Sequence, residues 1–226
     1  MNTQNAYARL AGLMYLLVLI FDIAGLAVGS TVAGPGDFAA RAHRIVDFET
    51  VYRFGLALGL LGTLCTVPLA VGLYVTVKPV DPNLALMGLV FRSAEAVIGA
   101  VAIVGSFAAL EVYRSGGLGA VELQLLREVA DPSAGTSVSA IFFCIGSTIF
   151  FYALSRSTYI PRLMSLWGVF ASLVYLAYWL SGLVVTAYPA VVIIGASLPI
   201  LVAEVSTGLW LLIRGIPDSK GILKTC

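Results

Sequence analysis

Four ionisable residues lie inside long apolar stretches of this sequence: Asp22, Arg92, Glu95 and Glu204. A charged side chain at the centre of a bilayer costs about 2.5–3.5 kcal/mol on insertion scales, so such residues persist when they are paired, neutralised or wetted. Intramembrane side chains of this kind line ion and substrate pathways and relay protons. These four residues are therefore the candidate binding cluster, while no spacing in the sequence indicates a catalytic residue or a metal site.

The spacing of these residues predicts which of them meet. Arg92 and Glu95 are three residues apart, so they share a helix face and can pair within one helix. At a rise of about 1.5 Å per residue, Arg92 and Glu204 both lie roughly 12–15 Å from the same side of the membrane. We therefore predict that Glu204 approaches Arg92. Asp22 lies nearer the opposite side, where Arg53 is its candidate partner.

The four residues do not balance in charge. Arg92 stands against three acids, so full ionisation leaves two net negative charges in or near hydrocarbon. Because burial disfavours the charged form of a carboxylate, at least one acid is expected to be protonated or to face water, and Glu204 is the candidate. The alternative is that Arg92, Glu95 and Glu204 only lock the third and sixth spans together, as polar groups do between membrane helices.

The fifth apolar stretch carries a further polar stripe. Its members recur at helical spacing: Ser165, Gly168, Ser172, Tyr175, Trp179 and Gly182. Small and hydroxyl residues in such a stripe allow helices to pack closely, which is the interpretation we favour for most of them. Tyr175 and Trp179 are large aromatic residues, and we keep these two as candidate pocket walls.

The composition of the chain indicates whether water or lipid surrounds it. The sequence has 226 residues, of which 60% are hydrophobic and 11% charged, and its mean hydropathy is +0.99. A soluble domain is usually about 45–50% apolar and about 25% charged. So few charges cannot cover a water-facing surface, which excludes a soluble enzyme and a disordered chain. The net charge of +1 offers no basic face for nucleic acid, so the predicted partner is the lipid bilayer.

Six continuous apolar stretches have the length of a membrane-spanning helix, which needs about 20 residues. A closed barrel would instead show short segments of alternating polarity. The predicted fold class is therefore an all-α, polytopic transmembrane helix bundle that forms one domain over residues 1–226. The predicted spans are 8–29, 54–77, 84–112, 138–154, 163–186 and 191–213.

Two polar connections are predicted to form short amphipathic helices in external loops. Asp37 can cap a helix that runs through Phe38 towards the second span. Residues 118–130 place apolar and charged side chains on opposite helix faces, and the pattern ends at Asp131 and Pro132. Both helices could lie in the headgroup region. The interpretation we favour is a lid that packs on the ends of the spanning helices.

The rarer residue types exclude several cofactors. Cysteine occurs at three widely spaced positions, Cys65, Cys144 and Cys226, which is not the pattern of a zinc site or a disulfide framework. The single histidine, His43, lies in a polar segment, so one copy of the chain cannot hold a bis-histidine haem within the membrane. No lysine lies inside an apolar stretch, which excludes a retinal Schiff base at that depth. The cofactor is therefore left unassigned.

The basic residues predict the orientation of the bundle. One side of the membrane is expected to carry Arg9, Lys78, Arg156, Arg162, Arg214, Lys220 and Lys224. The other side is expected to carry Arg41, Arg44, Arg53, Arg114 and Arg127, together with most of the acids. Because Lys and Arg accumulate on the cytoplasmic side, we predict a multi-pass protein of the plasma (inner) membrane with both termini in the cytoplasm.

Three short motifs carry a resemblance to a known family. Residues 9–13 (RLAGL) open the first span, residues 155–163 (SRSTYIPRL) join the fourth to the fifth, and Glu204 with residues 208–215 (GLWLLIRG) closes the sixth. Over residues 9–215 the chain resembles a bacterial domain-of-unknown-function family of six-helix membrane proteins. The resemblance implies the membrane location and the helix count, and it assigns no reaction. Relatives often carry a histidine at the start of the fourth span, where this chain has Ser137 and Ser139, which weakens any haem, metal or proton-relay role that the resemblance would imply.

The cluster and the spans support three functional hypotheses. The first is a bundle that binds or transports a small molecule or lipophilic ligand, based on Arg92, Glu95 and Glu204 beside the helix-breaking Pro199. The second is an accessory or structural subunit of a larger membrane complex or homo-oligomer, based on the glycine pairs at positions 25/29 and 55/59. The third is a lipid-modifying enzyme, which is least favoured because no span contains a histidine.

Overall fold

The structure is a computed structural model that describes residues 3–36, 38–115, 132–185 and 188–217. These residues form seven helices and no strands, which confirms the all-α prediction. The helices are numbered here in chain order. They are α1 (Thr3–Ala33), α2 (Phe38–Asp47), α3 (Glu49–Val77), α4 (Pro82–Ser115), α5 (Pro132–Ser155), α6 (Arg162–Gly182) and α7 (Ala190–Ile213).

Six of these helices, all except α2, are long and apolar enough to cross a membrane, as predicted. Helices α1, α4 and α5 extend beyond both ends of their apolar stretches, because polar residues at the headgroups can continue a helix. Helices α4, α6 and α7 begin at or just after Pro82, Pro161 and Pro189. Pro82 suits the first position of α4 because its fixed φ is helical and its missing N–H is not needed in the first turn, whereas Pro161 and Pro189 are the N-cap residues of α6 and α7.

The six spanning helices form a closed ring. Each packs against its neighbours in the chain, in the order α1, α3, α4, α5, α6 and α7, and the ring closes where α7 packs on α1. Short connections favour antiparallel neighbours of this kind. As a result, α4 and α7 lie across the ring from each other, and their inner faces border the same interior space.

Glycines let α1 approach both of its neighbours closely. A Cβ at Gly12 would lie 2.5 Å from the backbone nitrogen of Leu212 and 2.6 Å from the carbonyl oxygen of Gly208, where α7 closes the ring. A Cβ at Gly25 would lie 2.9 Å from the carbonyl oxygen of Gly55 in α3. No side chain fits at these distances, so the close approach requires glycine. The glycine pairs of the first two spans are thus used for packing within the chain.

Side chains tie the helix ends together on the side where α1 begins and α7 ends, which we call the terminal face. Gln4 donates hydrogen bonds to the carbonyl oxygen of Thr76 (2.8 Å) and to the hydroxyl of Tyr159 (3.1 Å). Asn5 accepts a hydrogen bond from the backbone N–H of Ile216 (3.0 Å). These bonds join the start of α1 to the end of α3, to the α5–α6 connection and to the segment after α7.

The apolar core fills the half of the ring next to the terminal face. Large side chains there are at most 1% exposed: Tyr15, Leu69, Leu73, Phe150, Phe151, Leu154 and Leu211. Towards the opposite end, which we call the distal face, large apolar side chains such as Leu26, Val104 and Val191 are exposed. Most of the large, fully buried side chains therefore lie in the terminal half of the ring, whereas large apolar side chains on its outer surface are exposed in both halves.

Helix α2 packs on the distal ends of α1 and α4. Ile45 of α2 is buried in a small apolar cluster with Val32 of α1 and Leu110 of α4. The first predicted amphipathic helix is therefore confirmed, and it contacts helix ends as a lid would. Its predicted cap, Asp37, and the second predicted helix over residues 118–130 lie outside the described residues.

Asp81 caps α4 at the terminal face. Its carboxylate accepts hydrogen bonds from the backbone N–H groups of Leu84 (3.0 Å) and Asn83 (3.1 Å), and it pairs with Arg156 at 3.1 Å. The Leu84 N–H holds the pKa of Asp81 below its ordinary value, and Asn83 and Arg156 act in the same direction. The carboxylate therefore stabilises the fold at neutral pH, and this contribution is lost as the pH falls through the lowered pKa.

We expect Asp81→Asn to lower the thermal unfolding temperature at about pH 7, because the change removes the charge that the cap and Arg156 stabilise. Asparagine keeps an acceptor for the helix cap, so the comparison isolates the charge. The difference from the unchanged protein should shrink below about pH 4, where aspartate protonates in the unfolded chain. Thermal unfolding in detergent at a series of pH values measures it, and a difference independent of pH would contradict this role.

Candidate functional site

One face of α1 borders the interior of the ring. Ala8, Tyr15 and Asp22 follow each other at seven-residue spacing, so they share that face. Ala8 and Tyr15 are buried, whereas Asp22 is exposed. The carboxylate of Asp22 lies against Gly62 of α3 and is within electrostatic range of Arg92 in α4. Buried groups on this face therefore lie next to the terminal face, and Asp22 lies further towards the distal face.

Arg92 is the most deeply buried charge and is 1% exposed. Its Nη1 lies 3.0 Å from Oε2 of Glu95, the pair that the spacing predicted, and 3.4 Å from Oγ of Ser147 in α5. Its guanidinium carbon lies 4.8 Å from the centre of the Phe143 ring, which is a cation–π contact. A Cβ at Gly146 would lie 2.9 Å from Cγ of Arg92. Helix α5 thus leaves room for the Arg92 side chain at Gly146 and contacts its guanidinium through the Phe143 ring and the Ser147 hydroxyl.

Glu204 borders the same interior from α7, on the side opposite Arg92. It is 5% exposed and interacts electrostatically with Arg92 and Asp22. Within the described ranges, no ion pair includes Glu204. Its Oε1, the Oγ1 of the fully buried Thr207 and the Nε of Arg92 also have no hydrogen-bond partner there. A buried polar atom without a partner costs about 1–3 kcal/mol, so these three atoms indicate a site for a polar group.

The charged groups are staggered in depth. A Cβ at Gly208 would touch Cβ of Tyr15 at 3.0 Å, which places these two residues at one level. From that level, Glu204 is four residues and about 6 Å further towards the distal face, and Asp22 is seven residues and about 10 Å further. Exposure rises from 1% for Arg92 to 5% for Glu204 and 13% for the Glu95 side chain, and Asp22 is exposed.

We call the cluster of Asp22, Arg92, Glu95, Glu204 and Thr207, with the part of the interior that these side chains border, the polar chamber. Arg92 is its most buried charged member, and Asp22 lies nearest the distal face. Its contributors come from the first, third and sixth spans, so the ring has to close before the chamber exists. The chamber is an interior feature of the bundle, and the helices that carry Arg92 and Glu204 lie on opposite sides of it.

An aromatic row connects the polar chamber to the distal half of α6. Phe143, which stacks on Arg92, meets Tyr175 edge to face with the ring centres 6.2 Å apart. Tyr175 in turn contacts Trp179 at 5.8 Å and Tyr178 at 6.0 Å between ring centres. Of the two aromatic residues selected from the sequence, Tyr175 is separated from the guanidinium by one ring, and Trp179 is separated from it by two.

A groove of about 540 Å³ lies between the distal halves of α6 and α7. Its lining is mostly apolar, from Val174 to Ser181 on α6 and from Val192 to Ala196 on α7. Tyr178 belongs both to this groove and to the aromatic row, so the two surfaces are continuous. The groove is shallow and open to the outer surface of the bundle, and its volume lies within the range of about 300–1,000 Å³ found for ligand pockets.

The prediction that Asp22 pairs with Arg53 is wrong. Arg53 does not pair with Asp22 but with Glu49 at 2.7 Å and with Glu111 at 3.3 Å, at the distal end of the ring. Asp22 lies instead against Gly62, which is nine residues further along α3 than Arg53. At about 1.5 Å per residue, this separation of roughly 13 Å exceeds the reach of an arginine side chain.

Three residues in or next to the polar chamber were not selected from the sequence. Tyr15 lies seven residues before Asp22 and Thr207 lies three residues after Glu204, so helical spacing could have identified both. Phe143 carried no such signal, because an aromatic residue in an apolar stretch has no distinguishing pattern. Its role depends on how α5 is rotated against α4.

The polar chamber can bind and orient a polar or charged group. It offers the Nε–H of Arg92 as a donor, the Oε1 of Glu204 as an acceptor and the hydroxyl of Thr207 as either. In the part of the chain that the structure describes, no group of three or more His, Cys, Asp or Glu side chains is placed to hold a metal ion. Recognition by hydrogen bonds and charge is thus the chemistry that the described residues provide.

Comparison with known proteins gives one match. The model of one protein family, described as a domain of unknown function, matches residues 10–215. This range contains every residue of the polar chamber, and it agrees with the resemblance carried by the three sequence motifs. Comparisons with curated proteins and with solved structures gave no match.

Proposed function

Since this chain belongs to the DUF4386 family, a domain of unknown function, we propose its activity from its own geometry. It is a multi-pass membrane protein, and we propose that it binds a small ligand in the polar chamber and exchanges that ligand through the distal half of the ring. The packed terminal half supports binding from the distal side. Transport would require that half to open as well.

The observation that carries the proposal is the gradient of exposure along the polar chamber. Groups used only to lock helices together would be expected to satisfy one another, since unsatisfied buried polar atoms are costly. Here Glu204 and Thr207 retain polar atoms without partners in the described structure, and the acid nearest the distal face, Asp22, is exposed. A site that is open at one end and polar at its base is suited to receive a ligand.

We also propose that the terminal face lies in the cytoplasm and that the membrane is the plasma membrane. The support is the excess of Lys and Arg in the connections at that face, which is the usual cytoplasmic bias. The accessory-subunit hypothesis has weaker support. The glycines at positions 25 and 55 that motivated it pack against each other within the chain.

A labelling experiment tests whether the polar chamber is open to water. We expect Asp22→Cys, with the native cysteines replaced by alanine, to react with a charged, membrane-impermeant thiol reagent added to intact cells. Ile20→Cys is the matched control, because Ile20 is exposed at nearly the same depth but on the opposite, lipid-facing side of α1. It should react slower by an order of magnitude or more, since the thiolate forms readily only in water.

A reference variant makes a negative result informative. Pro35→Cys lies in the exposed segment after α1 at the distal face, and it should be labelled in intact cells if that face is extracytoplasmic. Labelling at Pro35→Cys without labelling at Asp22→Cys would contradict an open chamber. Labelling of neither variant until the cells are opened would contradict the proposed orientation instead.

A further inference from the structure

Resting on the proposed function, we infer that the ligand of the polar chamber is a lipophilic organic cation. The inference joins three features of the described residues. Two carboxylates have no basic partner in contact, an aromatic row begins at the guanidinium with which they interact at longer range, and an apolar groove adjoins that row.

The first feature is the charge of the polar chamber. The guanidinium of Arg92 is already paired with Glu95 at 3.0 Å. Asp22 and Glu204 take part in no ion pair with the described residues, although both interact with Arg92 at longer range. A bound cation would favour the ionised form of both carboxylates, and the chamber would then carry two negative charges beyond the Arg92–Glu95 pair. Charges attract more strongly in a low dielectric than in water, so a cation is the complementary ligand.

Glu204 has a buried oxygen without a partner in the described part of the chain, which points to a ligand more directly than a cluster of acids alone does. Its side chain is more than nine-tenths buried, and its Oε1 has no hydrogen-bond partner among the described residues. Thr207, one turn along α7, presents a second buried oxygen in the same condition. Both oxygens can accept from the N–H or polarised C–H groups of a cation.

The second feature is the aromatic row. Aromatic faces attract cations, and the row already shows this, since Phe143 lies 4.8 Å from the Arg92 guanidinium carbon. Tyr175, Tyr178 and Trp179 continue the row away from that guanidinium. They provide ring faces and edges for the apolar substituents of an organic cation as well as for its charge.

The third feature is the apolar groove between α6 and α7. A hydrated inorganic ion gains nothing from its apolar lining, whereas the hydrocarbon groups of a lipophilic cation do. Gly195 in that lining carries the carbonyl that Pro199 leaves without its helical hydrogen bond, because proline has no N–H. This carbonyl adds a partial negative charge to the surface on which a cation would lie.

An organic anion fits the same space less well. The Nη1 of Arg92 is occupied by Glu95 and Ser147, so the arginine keeps only part of its donor capacity for a ligand. An anion at the base of the chamber would also meet the carboxylates of Glu204 and Asp22. Repulsion between like charges in a low dielectric opposes that arrangement.

Two probe ions of equal size and opposite charge test the inference: tetraphenylphosphonium and tetraphenylborate. We expect the full-length protein in detergent to bind radiolabelled tetraphenylphosphonium saturably and tetraphenylborate only weakly and without saturation. Glu204→Gln and Asp22→Asn should each weaken phosphonium binding by about tenfold or more, which is the scale of one lost charge contact. Both changes keep the side-chain shape, and thermal unfolding of each variant shows that it is folded.

Glu111→Gln is the matched control, because it makes the same chemical change at an exposed distal-face position outside the polar chamber. Its phosphonium affinity should equal that of the unchanged protein. Equal losses in Glu111→Gln and Glu204→Gln would overturn the inference, since binding would then follow net charge alone. Comparable binding of both probe ions would also overturn it, because attraction would then be hydrophobic only.

The remaining outcomes separate this inference from the proposed function. If neither probe binds while Asp22→Cys is labelled from the distal side, the chamber is open and the assignment of a lipophilic cation is wrong. Saturable binding of tetraphenylborate that depends on Arg92, without phosphonium binding, also retains the binding function and rejects the charge class. If neither probe binds and Asp22→Cys is not labelled, both the cation and the binding chamber are rejected.

Discussion

Gly12→Ala is expected to destabilise the protein by about 1–3 kcal/mol or more, the range for forcing an extra group into a packed interior. The added Cβ would lie 2.5 Å from the backbone nitrogen of Leu212 and 2.6 Å from the carbonyl oxygen of Gly208. Backbone atoms cannot move aside as a flexible side chain can, so α1 and α7 have to separate. The ring would then open at the contact that closes it.

Gly29→Ala is the control for this change, because a Cβ at Gly29 in the same helix would meet no other atom within 4 Å. It should be neutral or slightly stabilising, since alanine favours a helix over glycine by up to about 1 kcal/mol. Thermal unfolding and the yield of monodisperse protein from detergent extraction measure both variants. Equal behaviour of the two variants would mean that α1 and α7 do not pack at Gly12.

Removing the buried guanidinium of Arg92 is expected to cause the second large loss of stability. In the unchanged protein the Glu95 side chain is 13% exposed and its carboxylate lies 3.0 Å from Arg92. Arg92→Met removes this partner. Breaking a buried pair by deleting one member typically costs about 3–5 kcal/mol, because the remaining charge is buried uncompensated. Methionine keeps a long, flexible apolar stem, so the space beside Gly146 stays filled. The loss of stability therefore reports on the missing charge of Arg92.

The double variant Arg92→Met with Glu95→Gln provides the decisive comparison. If the cost of the single change comes from the unpaired carboxylate, the double variant should recover most of the lost stability. Arg114→Met, which removes a half-exposed arginine from the ion pairs at the distal face, should change stability little. A double variant that remains as unstable as Arg92→Met would show that Arg92 stabilises the bundle through its ring and hydroxyl contacts instead.

The membrane class, the six spans and the pair within α4 could be predicted from the sequence because each depends on one segment at a time. Hydropathy identifies a span without knowledge of its neighbours. A separation of three residues puts Arg92 and Glu95 on one face in any helix. These properties are local, and packing against other helices does not change them.

The relations between helices could not be predicted in the same way. The depth of a residue along its own helix follows from counting, but the rotation and offset of one helix against another do not. That is why Arg53 was assigned to Asp22, while the packing of Gly25 on Gly55 sets α1 against α3 so that Asp22 meets Gly62. Closure of the ring by Gly12 on Gly208 could likewise not be predicted, because the sequence around neither glycine indicates which residue it packs against.

The closure of the ring by its first and last spans also sets the order in which the protein can mature. Helix α1 carries Asp22 into the membrane before α4 and α7, which carry Arg92 and Glu204, have been synthesised. Until α7 docks on Gly12, the interior that Asp22 borders lacks Glu204 and Thr207. The polar chamber is thus completed in the last assembly step, and a ribosome-bound intermediate with five spans would contain Asp22, Arg92 and Glu95 but not Glu204.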